Sequence, residues 1–138
     1  MKKTQVNNKS GSINSTRFNT ELPKRVVFSF QYLQEEHPKF SIQPKGTKYL
    51  IALLTRLKEL SRLSLQELKM NSNKTLRCHP INWSDTTENC FGIPLEDELV
   101  DIPYQFSLSA NEYGRIHGFF IDEIFYIVWL DPEHQLYR

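Results

Sequence analysis

Apolar and polar positions alternate from residue 26 to 33. Val26, Phe28, Phe30 and Tyr32 fall on one side, and Val27, Ser29 and Gln31 on the other. A period of two predicts a half-buried strand. His37-Pro38, Pro44 and Gly46 then mark a loop over 34–46. From 47 to 62 the period changes. Leu50, Leu53, Leu54, Leu57 and Leu60 recur at steps of three and four, the apolar stripe of a helix that Thr47 is placed to cap. Ser64-Leu65-Gln66-Glu67 is a capping box, with Leu63 and Leu68 at the staple positions around it. A second, shorter helix is expected over 65–70, and the two read as an αα-hairpin.

Asn71-Ser72-Asn73 reads as a turn, and Leu76 to Trp83 as an extended strand bent by Pro80. Residues 84–103 read mostly as loop, with an acidic cluster at Glu96, Asp97 and Glu98 and a short strand around Phe91, Ile93 and Leu95. Tyr104, Phe106 and Leu108 alternate with polar residues. Asn111 to Gly114 is a turn and Arg115 to Ile121 the next strand. Asp122-Glu123 makes a tight reversal without the glycine such hairpins usually carry. Ile124 to Leu130 is apolar on both faces, the mark of a strand covered on both sides, and Asp131-Pro132 ends it. Strand, helix, helix and then three or more antiparallel strands predict an α+β fold. It is a twisted, mainly antiparallel sheet with the helical hairpin on one face.

The tail changes the domain reading. Residues 1–24 are rich in Asn, Ser, Thr and Lys, with apolar residues too scattered to bury. They are expected to be a flexible basic tail ahead of one α+β domain over 25–138. Charge is split along the chain: residues 1–78 hold fifteen Lys/Arg against five Asp/Glu, +10, and residues 79–138 two against eleven, −9. Two cysteines are too few for a disulfide framework. No secretory leader or membrane-length apolar run stands in the sequence. The expectation is a cytoplasmic protein with reduced thiols and no membrane partner.

Phosphate-binding loops, dinucleotide fingerprints, HExxH, CxxC and GxSxG are all absent. Cys78, His79, Cys90 and His117 superficially suggest a metal site. Only Cys78 and His79 are close in sequence, however, and neighbours on a strand point to opposite faces, so neither a metal nor a cofactor is expected. The densest constellation is Arg115, His117, Asp131, His134 and Tyr137, which the 115–121 strand and its returning partner bring to one end of the sheet. Histidine moves protons near neutral pH, arginine steadies phosphate charge, and tyrosine positions a base or a proton. Two plainer readings stand beside this one. His117 is a hydrogen-bonded sheet residue, or Asp131 caps the turn Asp131-Pro132-Glu133-His134.

The stretch from Arg115 to Tyr137, RIHGFFIDEIFYIVWLDPEHQLY, resembles the C-terminal half of RelE/ParE-superfamily toxins, and the order of elements is similar too. The resemblance is to the YafQ-like branch in particular. It implies a ribosome-associated, metal-independent mRNA endoribonuclease of a toxin–antitoxin system, with ribosome and mRNA as targets and an antitoxin as partner. His134 matches the family's late histidine best, Arg115 and His117 match less closely, and His79 is a further candidate. The chain is also similar to small bacterial proteins ending in a WLDPxHxLY-like segment. The −9 of residues 79–138 supports a different class. On that reading the chain is a non-catalytic interaction module, a phage-defence, antitoxin-like or inhibitory protein, which holds a basic partner through its acidic half. DNA binding through the dispersed basic tail ranks last.

Overall fold

The computed structural model describes residues 24–70, 76–110 and 112–138. The tail expected over 1–24 lies, apart from Lys24, outside the described residues, as do the turn at 71–73 and Asn111. The elements are β1 (Val27–Ser29), α1 (Thr47–Leu60), α2 (Leu65–Met70), β2 (His79–Pro80), α3 (Glu96–Leu99), β3 (Pro103–Ser107), β4 (Arg115–Ile121) and β5 (Ile124–Asp131). They form an α+β fold around one five-stranded sheet of order β1-β5-β4-β3-β2. β1 runs parallel to β5, and the other three pairings are antiparallel. No helix among the described residues is long and apolar enough to cross a membrane.

The capping box forms as its sequence prescribes. Glu67 N–H donates to Ser64 Oγ at 3.1 Å, and Ser64 N–H donates to the Glu67 carboxylate at 2.8 Å. Other expectations need correction. Gly46, not Thr47, is the N-cap of α1 and makes no side-chain cap bond. The buried column of α1 is Tyr49, Leu53, Leu57 and Leu60, while Leu50, Ile51 and Leu54 are 43, 58 and 64% exposed. Only one column of side chains reaches the sheet, so the leucine stripe overstates the width of the buried face. β1 stops at Ser29 because a turn, Leu33 N–H to Phe30 C=O, carries Tyr32 round the sheet edge onto Phe119 and Tyr126.

Between Leu76 and Trp83 only His79 and Pro80 pair as strand, and Trp83–Asp85 close a 3₁₀ turn capped by Asn82. Phe91, Ile93 and Leu95 form no strand. The Glu96 carboxylate instead accepts the amide protons of Phe91, Gly92 and Ile93, folding that stretch against the single turn of α3.

Apolar side chains fill both faces of the sheet. On one face α1 and α2 pack Leu53, Leu57 and Leu68 against Phe106, Ile116, Phe125 and Ile127. Among the described residues no helix of comparable length covers the other face. Phe40, Ile81, Phe91, Ile93 and Leu136 come from loops and the C-terminal segment to bury Phe119, Val128 and Trp129.

A bulge joins the two layers. His117 pairs with Trp129 and Gly118 with Ile127, so Val128 is one residue too many for the ladder. Up to Ile127, odd-numbered residues of β5 face the helices; beyond it, Val128 and Trp129 both face the loops. A bulge re-aims the strand after it, and this one turns Trp129 and Asp131 to the face of Arg115 and His117. The Gln34 amide satisfies the carbonyl of Val128 at 2.9 Å, and the Gln34 side chain accepts the Trp129 indole N–H at 2.7 Å. Gly118 opposite the bulge leaves no room for a side chain. A Cβ there would lie 2.0 Å from the Tyr126 carbonyl oxygen and 2.8 Å from the Phe125 ring. Gly118→Ala is expected to destabilise the protein by about 3 kcal/mol or more, read as a fall in the urea midpoint.

Candidate functional site

β4 and the end of β5 supply one wall of a cavity of about 150 Å³, lined by His79, Gln105, Arg115, Asp131, His134 and Tyr137. Asp131 builds it. Its Oδ1 accepts the Gln135 N–H at 2.8 Å, and its Oδ2 accepts the Leu136 N–H at 3.0 Å and the His117 Nε2–H at 3.1 Å. Pro132 breaks the strand, and the two amides wrap the chain back so that His134 and Tyr137 face Arg115. Burial pushes the Asp131 carboxyl up, but the bonds from His117, Gln135 and Leu136 outweigh it and hold the group below the usual carboxylate range. Asp131 is therefore a carboxylate whose lone pairs are already engaged.

His134 takes a left-handed backbone conformation, φ 57°, to reach this position. Its Nε2 accepts from Arg115 Nη1 at 3.3 Å. Burial, followed by the nearby Arg115 guanidinium, lowers its pKa, and Arg77 acts in the same direction. His134 is thus neutral near pH 7, with its Nε2 lone pair held by Arg115 at the cavity wall. Arg77 is also left-handed, φ 50°. Strained residues of this kind concentrate at functional sites.

On the opposite wall, His79 Nδ1–H donates to the Pro80 carbonyl at 2.8 Å, so the neutral ring leaves Nε2 as an acceptor, 3.1 Å from Gln105 Nε2. Tyr137 stands edge-on to His79, ring centroids 6.0 Å apart. Its hydroxyl oxygen accepts the Asn82 N–H at 3.3 Å, which leaves the phenolic proton free to donate. Burial raises its pKa, so it stays a phenol.

Four of the five residues singled out from the sequence, Arg115, Asp131, His134 and Tyr137, meet here. His117 does not. It is fully buried beneath Phe40 and Trp129 and donates to Asp131. It occupies the sheet-residue position read as the plainer alternative, and Asp131 likewise caps the turn after it. Burial keeps His117 neutral despite the carboxylate. The unfolded chain therefore binds more protons than the folded one below about pH 6.5. The stability His117 contributes is complete above that pH and is lost as pH falls toward its lowered folded value. His37 adds to the same trend: burial lowers its pKa, and its Nδ1 accepts the Lys39 and Phe40 amides. Urea midpoints are expected to fall between pH 7 and 5, and His117→Gln should flatten part of that slope.

The sequence offered no reason to select Gln105. It is a polar residue in an alternating strand, and alternation places it on the wet side. The loops that cover that face instead bury Gln105 to 5% exposure. Cys78 lies in the helix-side core, where burial pushes its thiol up to about 11, and Cys90 is exposed. Among the described residues no group of three or more His, Cys, Asp or Glu is placed to hold a metal ion. Comparison of the chain with family models, curated proteins and solved structures finds no match.

Proposed function

We propose that this chain is a RelE/YafQ-like toxin that cuts mRNA on the ribosome by metal-independent attack of a ribose 2′-hydroxyl. The observation that carries the reading is Arg115 Nη1, 3.3 Å from His134 Nε2, at the rim of a cavity completed by His79 and Tyr137. Two imidazoles and a guanidinium lining one cavity are what phosphodiester transesterification needs. When Arg115 turns its N–H to the phosphate, the Nε2 lone pair of neutral His134 is released and removes the proton from the 2′-hydroxyl. That oxygen bonds to phosphorus while Arg115 and the Tyr137 hydroxyl steady the non-bridging oxygens. His79, protonated at Nε2, gives its proton to the departing 5′-oxygen. The products are a 2′,3′-cyclic phosphate and a 5′-hydroxyl. His79 thus takes the role that the sequence pattern offered to His117.

The −9 of residues 79–138 does not describe the cavity. Among the acids of that segment, Asp131 and Glu96 are engaged by backbone amides. Glu88 is paired to Lys39, and Glu133 to Lys45. At His134 the Arg115 guanidinium is the largest charge effect, opposed by Asp131, and Arg77 is opposed by Glu133, so Arg115 is the cation that a phosphate would meet at the cavity. An antitoxin partner is supported by the outward face of α1, where Leu50, Ile51 and Leu54 are exposed between Lys48 and Lys58. The test is induced expression in bacteria with genome-wide mapping of RNA 5′ ends. New ends inside translated codons are expected for the wild type. Their absence from well-expressed, folded protein would sink the nuclease reading in favour of a binding module.

A further inference from the structure

Gln105 lines the cavity at 5% exposure, and its Oε1 is a buried acceptor without a hydrogen-bond partner. Its orientation follows from its neighbour. In the neutral ring His79 gives its proton, on Nδ1, to the Pro80 carbonyl, so Nε2 accepts and the Gln105 amide N–H₂ faces it. A buried acceptor left unpaired is costly, because it has given up its water without a replacement. At the wall of a cavity, a ligand that brings the missing donor relieves that cost.

The class of donor follows from the chemistry on either side. The nucleophilic 2′-hydroxyl has a single proton, and that proton goes to His134. The Gln105 acceptor therefore serves a donor that does not react. Gln105 adjoins His79, which stands on the side of the departing 5′-oxygen, so that donor belongs to the nucleotide that leaves. When His79 carries its second proton, Nε2 becomes a donor and the Gln105 amide must turn to offer it oxygen. A hydroxyl can donate to Oε1 in one state and accept from N–H₂ in the other, which an amino group cannot do. A cavity of about 150 Å³ holds roughly five waters' volume, which fits a phosphate with adjoining sugar atoms rather than a whole nucleotide.

We infer that Gln105 is a specificity-determining residue that binds the ribose 2′-hydroxyl of the leaving nucleotide. This rests on the nuclease reading above. It makes the enzyme require ribose on both sides of the scissile phosphate, although the chemistry needs it on only one.

The test uses the full chain and ribosomes programmed with synthetic mRNA of one cleavable codon. The mRNA is either all ribose or carries a single 2′-deoxy sugar on the leaving side. The nucleophile is present in both. Wild type is expected to cleave the deoxy message about 10- to 100-fold less efficiently, and Gln105→Leu to cleave the two alike. Should Gln105→Leu fail to fold, Gln105→Met, of similar length and without the amide acceptor, takes its place. Equal cleavage of both messages by wild type overturns the role of Gln105 and leaves the nuclease reading standing. Undiminished discrimination in folded Gln105→Leu assigns the hydroxyl to another group and overturns it too. If wild type cuts neither message, the nuclease reading fails and this inference falls with it.

Discussion

His134→Ala should lower mRNA cleavage on programmed ribosomes by about 10²- to 10⁴-fold, the range for removing a positioned general base, with little change in the unfolding midpoint. His134 lies in the turn after β5, where its Nε2 meets Arg115 Nη1 and its N–H makes a long bond to the Asp131 carbonyl at 3.4 Å. Its ring fills no core. The hazard in the substitution is the backbone, since φ is 57° and alanine tolerates that region poorly. Asparagine tolerates it well. His134→Asn therefore keeps the turn and loses the base, and the two variants should be equally inactive. A folded His134→Asn protein with wild-type cleavage would remove His134 from the mechanism. Arg115 is a separate probe. It steadies charge, and its guanidinium also lowers the pKa of His134, so Arg115→Ala should depress the rate and move the acid limb of the pH profile to higher pH.

Asp131→Ala should destabilise the protein by about 3–5 kcal/mol, the largest stability effect anticipated for a single side chain here. The loss strands three donors at once: His117 Nε2–H and the amides of Gln135 and Leu136. His117 is wholly buried and Leu136 is in the loop-side core, so water cannot simply replace the carboxylate. Asp131→Asn should cost less, about 1–3 kcal/mol. Its carbonyl oxygen can still serve His117 and Leu136, while its N–H₂ is set against the Gln135 N–H. Urea unfolding distinguishes these, and Asp131→Asn should also slow cleavage by loosening the turn that carries His134. If Asp131→Ala unfolds like wild type, the C-terminal turn is not held as described.

The parts of this molecule legible in its sequence are those set by local chemistry. The Ser64–Glu67 box is a four-residue device and forms as written. The reversal at Asp122-Glu123 also forms, pairing Ile121 with Ile124, although no glycine is there and Asp122 takes φ 53° itself. The convergence of Arg115, Asp131, His134 and Tyr137 follows from that hairpin and the proline after it. What alternation could not show is which polar positions the loops would cover. His117 and Gln105 face each other across β4 and β3 as polar residues in half-apolar strands. The segments that bury them come from 34–43, 81–100 and the C-terminus, far away in sequence. The pairing of His79 with Gln105 was hidden for the same reason, because two residues of strand at β2 depend on contacts with β3.

The extra residue at Val128 lets a single codon decide between two ladders. An in-frame loss of that residue would let the ladder between β4 and β5 run without interruption, with Trp129, Leu130 and Asp131 keeping their partners and faces, because Val128 and Trp129 already share the loop side. One residue added between Val128 and Asp131, with the bulge kept, would instead turn Asp131 toward α1, away from His117 and the amides it now holds. Lineages carrying this scaffold can thus shed the bulge and keep the cavity, whereas an insertion past it loses the cavity with no change of topology.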